Sequence, residues 1–262
     1  PMTCSLIIAT YNWYQALELV LLSVSKQTIL PDEIIIADDG SNKETKNLVE
    51  KYQKKLRTPI KHVWQEDEGF RKTKILNKSF LQAKGEYIIQ IDGDIIIHSK
   101  FIEDHLKNAK KNIFLHGSRS FLDHKVSQTS INEKVTSFCF YQKGLRNRWN
   151  AIYFPMISKL VSPNKSLKRT RGCNFSCFKK DFILTNGYNE DMTGWGKEDT
   201  ELSARLINNN ILQKHLKFCA ISYHLEHKTL KRNGINKNIE ILKKTILKKS
   251  KKCKNGVNKY LL

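Results

Sequence analysis

The chain has 262 residues, of which 40% are hydrophobic and 27% are charged. This composition supplies enough apolar side chains for a folded core and excludes a globally disordered chain. No run of 18 apolar residues occurs, so we expect no membrane-spanning helix. The N-terminus enters an apolar stretch without a basic region or a cleavage site, so we expect no secretory signal.

The net charge of +21 is concentrated in two stretches of the chain. Residues 141–171 carry eight Lys and Arg and no acid, and residues 228–262 carry twelve Lys and Arg and one acid. The rest of the chain is nearly neutral. We therefore predict a near-neutral globular domain, residues 1–227, followed by a basic tail, residues 228–262.

The first half of the sequence alternates apolar strands with helices. The spacing predicts strands at residues 4–9, 33–37, 60–64 and 86–91 and helices at 14–26, 43–55 and 72–84. This alternation indicates an α/β fold with a Rossmann-like, mostly parallel sheet and helices on both faces. Ligands bind beyond the carboxyl ends of such strands, where Thr10–Asn12, Asp38–Ser41 and Asp92–Asp94 stand. We expect these three polar clusters to share one crevice.

The second half has a less regular pattern. We predict strands at residues 112–122, 134–142 and 214–222 and helices at 179–185 and 198–209. Residues 143–171 show no period and are predicted to form a mobile loop. The aromatic residues Trp149, Tyr153 and Phe154 in this loop are candidates for stacking on sugar rings.

Six cysteines are scattered along the chain. Only Cys173 and Cys177 are close, and this Cys-x3-Cys spacing without a second pair is a poor zinc signature. We expect reduced thiols that pack in the core, as is typical of a reducing compartment.

Two carboxylates end the apolar run 88–91, with one glycine between them. Asp92 and Asp94 lie two residues apart, so their side chains share a face if the backbone stays extended. Gly93 lets a ligand approach the backbone closely. Two hard oxygen donors suit a divalent cation that keeps other positions open for phosphate oxygens. A plain turn is the alternative reading of this acid-Gly-acid pattern.

Four segments together resemble family 2 glycosyltransferases, which have the GT-A fold. Thr10-Tyr11-Asn12, Asp38-Asp39-Gly40-Ser41 and Asp92-Gly93-Asp94 match the nucleotide-sugar half of that family in order and spacing. Gly194-Trp195-Gly196-Lys197-Glu198-Asp199 resembles a segment of galactosyl- and N-acetylgalactosaminyl-transferases, including bacterial chondroitin-type polymerases. The resemblance covers residues 3–227 and implies a GT-A domain.

The resemblance implies that residues 1–95 form the nucleotide-binding half and residues 96–227 the acceptor-binding half. Asp38 would accept a hydrogen bond from uracil, and Asp92 would reach the ribose or the metal. The remaining implied nucleotide-pocket residues are Thr10, Asn12 and Asp39. Arg71 or Lys72 could steady the diphosphate or the donor sugar, and Arg71 is the one assigned to the nucleotide pocket. A solvated face at a helix start is the alternative.

The resemblance also implies a divalent metal site. Asp94 would bind the ion directly, and His224 and His227 would supply the other end. Imidazole ligands are unusual for Mg²⁺, so they favour Mn²⁺, with Mg²⁺ as the alternative cofactor. A satisfied core histidine is the alternative for His224.

The Gly-Trp-Gly-Lys-Glu-Asp segment implies the catalytic residues. Asp199 would be the general base that takes the proton from an acceptor hydroxyl, which attacks the anomeric carbon opposite UDP with inversion. Glu198 would hydrogen-bond the acceptor sugar, Trp195 would offer it an apolar face, and Gly196 would let the backbone close over it. Helix capping is the alternative for the two acids.

Residues 236–250 have the pattern of a basic amphipathic helix. Such helices lie on anionic membrane surfaces, and a disordered solubilising tail is the alternative. An anionic membrane surface is therefore a candidate partner. We expect a cytoplasmic protein that associates peripherally with the inner face of the cytoplasmic membrane.

The predicted function is metal-dependent, inverting transfer of galactose or N-acetylgalactosamine, with glucose-type donors still open, from a UDP-sugar to a hydroxyl group. The acceptor would be a polysaccharide or a lipid-linked oligosaccharide. One alternative is an inactive relative that still binds UDP. Another is a basic nucleic-acid-binding protein, but no recognised module is present in the sequence and the acidic motifs would be unexplained, so we expect no specific nucleic-acid partner. A sugar-nucleotide pyrophosphorylase would need an early glycine-rich phosphate loop, which this sequence lacks.

Overall fold

The computed structural model describes residues 2–227 and 235–261. The strands are β1 (Cys4–Thr10), β2 (Glu33–Asp38), β3 (Ile60–Trp64), β4 (Tyr87–Asp92), β5 (Ile95–Ile97), β6 (Ile113–Gly117), β7 (Ser120–Leu122), β8 (Leu145–Arg146), β9 (Asn174–Phe178), β10 (Leu212–Leu216) and β11 (Ser222–His224). The helices are α1 (Tyr14–Ser25), α2 (Lys43–Lys55), α3 (Lys72–Gln82), α4 (Phe101–Asn108), α5 (His124–Glu133), α6 (Met156–Leu160), α7 (Lys179–Leu184), α8 (Glu198–Asn208) and α9 (Ile235–Leu247). Short 3₁₀ helices lie at Arg148–Ala151 and Val257–Tyr260.

The main sheet has seven strands in the order β10-β6-β9-β4-β1-β2-β3. Strand β9 is antiparallel to its neighbours β4 and β6, and the other pairs are parallel. Helices cover both faces because successive strand side chains point to opposite sides. In β1, Leu6 and Ile8 pack in the core cluster that contains α1 and α2 residues. Ile7 and Ala9 pack in the cluster that contains α3, α7 and α8 residues. The predicted mostly parallel α/β sheet is confirmed.

A second sheet has four short strands in the order β5-β11-β7-β8. Its pairing of β11 with β5 is antiparallel and sets His224 opposite Ile95. The backbone N–H of Leu225 also donates to the carbonyl of Asp94 at 3.1 Å. This sheet therefore joins the end of the first half to the end of the second half.

Two predicted strands of the second half are interrupted. The predicted strand 214–222 is wrong, because Phe218 and Ala220 have left-handed φ angles of 56° and 46°, so β10 ends at Leu216 and β11 begins at Ser222. The predicted strand 112–122 is divided after Gly117 between the two sheets. A Cβ at Gly117 would lie 2.4 Å from Asn174 Nδ2. The Asn174 side chain in β9 therefore packs against the Gly117 backbone at a distance that only glycine permits.

Residues 134–142 are not a strand but an irregular segment. Phe138 is buried with Tyr223, at a ring-centroid distance of 4.8 Å, while Tyr141 is 69% exposed. The apolar residues that predicted a strand thus belong to a loop, which the buried Phe138 side chain anchors. The predicted loop 143–171 contains ordered elements, namely β8, a 3₁₀ helix and α6.

The C-terminal segment packs against the domain. Helix α9 lies on α8, and Thr245 Oγ1 donates to Glu201 Oε1 at 2.9 Å. Farther on, Val257 is buried in the same core cluster as α8. For residues 235–261, these contacts correct the expectation of a tail outside the domain. The first part of the predicted tail, residues 228–234, lies outside the described residues.

The described cysteines, which are all six, are free thiols, and five of them are buried. In the described ranges, no helix combines the length and the apolar character that crossing a membrane requires.

A buried ion pair within α8 is also hydrogen-bonded to the C-terminal segment. Arg205 Nη2 lies 2.6 Å from Glu201 Oε2, and both side chains are almost completely buried. Arg205 Nη1 also donates to the carbonyls of Thr185 and Gly187, each at 2.7 Å. From α9, the Thr245 hydroxyl donates to the Glu201 carboxylate. This network joins α8, α9 and the turn after α7.

Replacing Glu201 by alanine should destabilise the fold strongly. The variant leaves the Arg205 guanidinium buried without its carboxylate, and breaking a buried pair in this way costs about 3–5 kcal/mol. Urea unfolding should show that loss in the free energy of unfolding. The control is Glu50→Ala, which removes an exposed pair with Lys46 at 3.9 Å and should cost at most about 1 kcal/mol. Equal losses for the two variants would contradict the stabilising role of Glu201.

Candidate functional site

The carboxyl ends of three neighbouring strands meet at one edge of the main sheet. In the parallel register Thr10 lies opposite Asp38, and Ala9 lies opposite Asp92. A cavity of about 820 Å³ opens there. Its polar lining comes from both halves of the chain: Thr10, Tyr11, Asp39, Lys72, Asp92, Asp94, Arg119, Arg146, Thr170, Arg171, Cys173, Lys197, Glu198, Asp199, Thr200, His224, Glu226 and His227. The expected crevice is thus present.

Asp39 is a buried acid in the lining of this cavity, just after the end of β2. Its Oδ1 accepts from Gln65 Nε2 at 2.6 Å, and its Oδ2 accepts from the backbone N–H of Arg71 at 2.7 Å. Burial raises the pKa of Asp39, although both hydrogen bonds oppose the shift. Thr10 lies beside it at the end of β1 and also lines the cavity.

Asp38 and Asn12 do not line the cavity. Asp38 is fully buried, its Oδ1 accepts from the backbone N–H of Ser41 at 2.8 Å, and its Oδ2 lies 2.8 Å from His62 Nε2. Asn12 Oδ1 accepts from the backbone N–H of Asn42 at 2.8 Å. Both side chains therefore fix the loop before α2, and their direct contact with a nucleotide stays a prediction.

Lys72, and not Arg71, points into the cavity. The Arg71 guanidinium donates to the Glu68 carboxylate and to the carbonyl of Glu66. Lys72 Nζ lies 2.5 Å from Asp92 Oδ1. Burial acts to lower the pKa of Lys72, but the carboxylates of Asp92, Asp199 and Glu198 raise it. The sequence analysis assigned Arg71 to the nucleotide pocket; the structure corrects this, because the cavity is lined by Lys72 and not by Arg71.

Asp94, His224 and His227 form a cluster with the composition of a metal site. One ligand atom of each lies within 4.8 Å of the others, and Asp94 Oδ2 lies 3.4 Å from His224 Nε2 and 3.2 Å from His227 Nε2. Burial alone would raise the pKa of Asp94, but the two imidazoles lower it. Burial lowers the pKa of His224, which favours the neutral, ligand form of the ring.

Other features of the cluster test its fit to a divalent ion. Asp94 Oδ1 is buried and has no hydrogen-bond partner, so one carboxylate oxygen is left for a ligand. One carboxylate with two imidazoles is a donor set that suits Mn²⁺ better than Mg²⁺. The Trp13 ring packs edge-on against His227 at a centroid distance of 5.7 Å. These residues fit a manganese-type ion.

Glu198 and Asp199 form an acidic pair at the first turn of α8. Burial, and then the neighbouring Asp199, raise the pKa of Glu198 to about 7. Burial also raises the pKa of Asp199, and Lys72 opposes that shift. A Cβ at Gly172 would lie 2.2 Å from Asp199 Oδ1, so only glycine leaves room for this carboxylate. Carboxyls with raised pKa values in a cavity are candidates for proton transfer.

Two buried side chains that were not predicted position Asp199: Tyr188 contacts it directly, and Gln90 acts through Tyr188 and Gly172. The Tyr188 hydroxyl lies 2.9 Å from Gln90 Oε1 and 3.4 Å from Asp199 Oδ1. Gln90 Nε2 donates to the carbonyl of Gly172 at 2.9 Å. The available signal was Gln90 itself, since it is a polar residue inside an otherwise apolar strand.

The Gly194–Gly196 loop is supported from behind by α9. Trp195 and Gly196 line the cavity, and Gly196 has a φ of +107°. The buried Asn238 donates through Nδ2 to the carbonyls of Thr193 at 3.2 Å and Gly196 at 3.0 Å. No sequence signal pointed to Asn238, because it lies in the segment that was predicted to be a tail.

Arg119 and Arg171 are two of the arginines that line the cavity. Arg119 Nη1 lies 3.0 Å from Cys173 Sγ and its guanidinium lies 4.9 Å from the centre of the Phe121 ring. Burial raises the pKa of the Cys173 thiol to about 11, so the thiol is neutral. Arg171 stands just before β9, and burial together with Arg119 lowers its pKa. The Arg-Gly-Cys sequence before β9 was a signal for Arg171 but not for Arg119.

The comparisons with solved structures define the class of fold. A crystal structure of GalNAc-T7 with UDP, GalNAc and Mn²⁺ aligns with a TM-score of 0.68 and 16% identity, over 92% of this chain and 48% of that chain. A crystal structure of S. aureus TarS aligns with a TM-score of 0.66 and 19% identity, over 94% of this chain and 40% of that chain. The fold is GT-A, as predicted.

The sequence comparisons define the family. Residues 5–165 match the model of glycosyl transferase family 2, and residues 155–228 match that of the N-terminal domain of galactosyltransferase. The chain belongs to glycosyl transferase family 2, which confirms the prediction of a glycosyltransferase at that level. It is 26% identical to the chondroitin synthase of Escherichia coli over 264 residues, 92% of this chain and 38% of the relative.

Proposed function

We propose that the protein transfers a sugar from a UDP-sugar to a hydroxyl of a glycan acceptor, with metal dependence and inversion at the anomeric carbon. The observation that carries the proposal is the cavity itself. It contains the Asp94–His224–His227 cluster, the acidic pair Glu198–Asp199, and Lys72. A donor diphosphate and an attacking hydroxyl need these two kinds of group within one site.

The donor end of the proposal rests on charge and on the relatives. Asp39 and Thr10 would face the nucleoside, and Lys72 would contact the diphosphate as a cation beside Asp92. Asp94, His224 and His227 would hold the ion. A bound divalent ion supplies Lewis-acid stabilisation of the charge on the departing diphosphate. The similar GalNAc-T7 structure, which contains UDP and Mn²⁺, supports this choice.

The transfer step uses the acidic pair. Asp199 takes the proton from the acceptor hydroxyl as that oxygen forms its bond to the anomeric carbon. The bond between the anomeric carbon and the diphosphate oxygen breaks, and UDP leaves with the electron pair. An α-linked donor therefore gives a β-linked product. Glu198 hydrogen-bonds the acceptor, and Trp195 covers a sugar ring.

Galactose and N-acetylgalactosamine are the favoured donor sugars in this proposal. The match of residues 155–228 to the galactosyltransferase domain supports them. A validoxylamine A glucosyltransferase of Streptomyces hygroscopicus subsp. limoneus, 28% identical over 79% of this chain and 48% of the relative, keeps glucose donors in the test. The chain spans less than half the length of these two curated relatives, so acceptor and linkage belong to the same proposal.

Calorimetric titration of UDP with and without Mn²⁺ tests the proposal. We expect micromolar binding that strengthens with the metal, because the ion would join the cluster to the phosphates. A panel of UDP-sugars in a hydrolysis assay then identifies the donor. Absence of UDP binding under both conditions would overturn the proposed function. Binding without hydrolysis or transfer of any donor would instead favour an inactive relative.

A further inference from the structure

The two apolar side chains with the greatest exposure in the described ranges are Leu160 and Leu247, each 82% exposed. Both belong to segments that are attached beside the edge strand β10. The backbone of Asn164 exchanges hydrogen bonds with Gln213 at 2.9 and 3.0 Å. Asn209 Nδ2 donates to the carbonyl of Lys251 at 2.8 Å. The two attachment points, Gln213 in β10 and Asn209 in the turn between α8 and β10, are four residues apart along the chain.

The first segment, residues 154–160, is apolar and exposed within a basic stretch. Phe154 is 51% exposed and Met156 is 66% exposed. Met156 and Leu160 are one helical turn apart in α6 and therefore lie on one face. No acid occurs between Glu133 and Asp181.

The second segment, residues 243–254, comprises the end of α9 and the turns after it. The inward side is already occupied, since Asn238, Leu242 and Thr245 are buried against the domain. The outward side carries seven lysines, the exposed Leu247 and no acid. Of the apolar side chains in the predicted amphipathic helix, Leu242 is buried against the domain, whereas Ile246 and Leu247 are exposed.

We infer that these two segments together form a docking surface for an anionic lipid bilayer. Lysines gain from the negative potential of such a surface, and exposed Leu, Met and Phe side chains gain by entering the acyl boundary. A nucleic acid would bind the lysines through its phosphates, but it would gain nothing from Leu160 and Leu247, which offer no aromatic face for base stacking. The bilayer therefore accounts for both the charge and the apolar side chains. This inference goes beyond the proposed function and does not depend on it.

Vesicle co-sedimentation of the unmodified protein tests the inference. We expect binding to vesicles of phosphatidylcholine with phosphatidylglycerol, weakening with added salt, and no binding to phosphatidylcholine alone. Lys244→Glu with Lys248→Glu should lower the partition coefficient at least about thirtyfold, from the usual gain per basic residue. Leu160→Ser with Leu247→Ser should lower it at least about tenfold.

Matched controls separate this surface from net charge and from general hydrophobicity. Lys43→Glu with Lys54→Glu makes the same charge change on α2, which packs on β3 at the other edge of the sheet. Leu30→Ser removes a leucine that is 44% exposed elsewhere. Neither control should change vesicle binding by more than about twofold. The substituted positions are exposed, and thermal unfolding by circular dichroism verifies that each variant folds.

Three results would overturn the inference. The first is equal binding to neutral and anionic vesicles, or no binding to either. The second is an equal loss in the α2 control, which would assign the effect to net charge. The third is vesicle binding that is unchanged by the two leucine substitutions while a short RNA competes for it, which would assign the lysines to general polyanion contact.

Discussion

Asp199→Asn should reduce sugar transfer about 10²- to 10⁴-fold, the usual contribution of a general base, while UDP and Mn²⁺ binding stay near normal. The amide has nearly the shape of the carboxylate, so it keeps the place beside Gly172 and Tyr188 but cannot accept the acceptor proton. Single-turnover transfer, with calorimetry of UDP on the same preparation, measures both effects. A near-normal transfer rate would refute the assignment of the base.

The neighbouring acid provides the control for this prediction. Glu198→Gln should raise the KM for the acceptor more than it lowers kcat, because Glu198 is proposed to bind the acceptor and not to take its proton. The reverse pattern, with Glu198→Gln inactive and Asp199→Asn active, would exchange the two roles. The unmodified enzyme should also lose activity as the pH falls through about 7, where the raised pKa of Glu198 lies and the acidic pair takes up a proton.

Asp94→Asn should abolish the gain in UDP affinity that Mn²⁺ confers. Asp94 is the carboxylate of the cluster and its Oδ1 has no other partner, so the variant removes the negative ligand. Changes beyond the direct ligands commonly weaken metal sites about 10–100-fold, and loss of a ligand should do at least as much. Calorimetry of UDP over a series of Mn²⁺ concentrations measures the effect.

The metal-free affinity is the internal control for Asp94→Asn. UDP binding in the presence of a chelator should match that of the unmodified protein, because Asp39, Thr10 and Lys72 are untouched. A variant that retains the full response to Mn²⁺ would remove Asp94 from the metal site. A variant that loses UDP binding in chelator as well would indicate damage to the nucleotide pocket instead.

The sequence was informative wherever local periodicity and the order of short motifs decide the structure. The apolar runs that become β1, β2 and β4 predicted parallel strands, and parallel strands bring their carboxyl ends to one edge. Thr10, Asp39 and Asp92 could therefore be placed together before any coordinates. The acidic pair at the start of α8 was equally readable, because its flanking glycines and tryptophan form one continuous segment.

Sequence reasoning failed where the outcome depends on a backbone conformation or a side-chain partner that apolar spacing does not indicate. The strand predicted at 214–222 failed because two left-handed residues interrupt it, and local apolar spacing does not report φ. The choice between Arg71 and Lys72 depended on which carboxylates lie nearby, namely Glu68 for the arginine and Asp92 for the lysine. Neither could be read from spacing.

By itself, the sequence determined the alternating strand and helix pattern, the acids at the strand ends and the family motifs, because these depend on near neighbours along the chain. Only the tertiary structure decided that Tyr188, itself bonded to Gln90, contacts Asp199, and that Asn238 supports the Gly194–Gly196 loop. It also showed that the pairing of β5 with β11 is what brings together Asp94 and His224, whose meeting the resemblance had implied. It also turned a predicted tail into part of the domain. The physical reason is that such contacts join residues far apart in sequence, and their stability comes from burial and paired polar groups that exist only after the chain has folded.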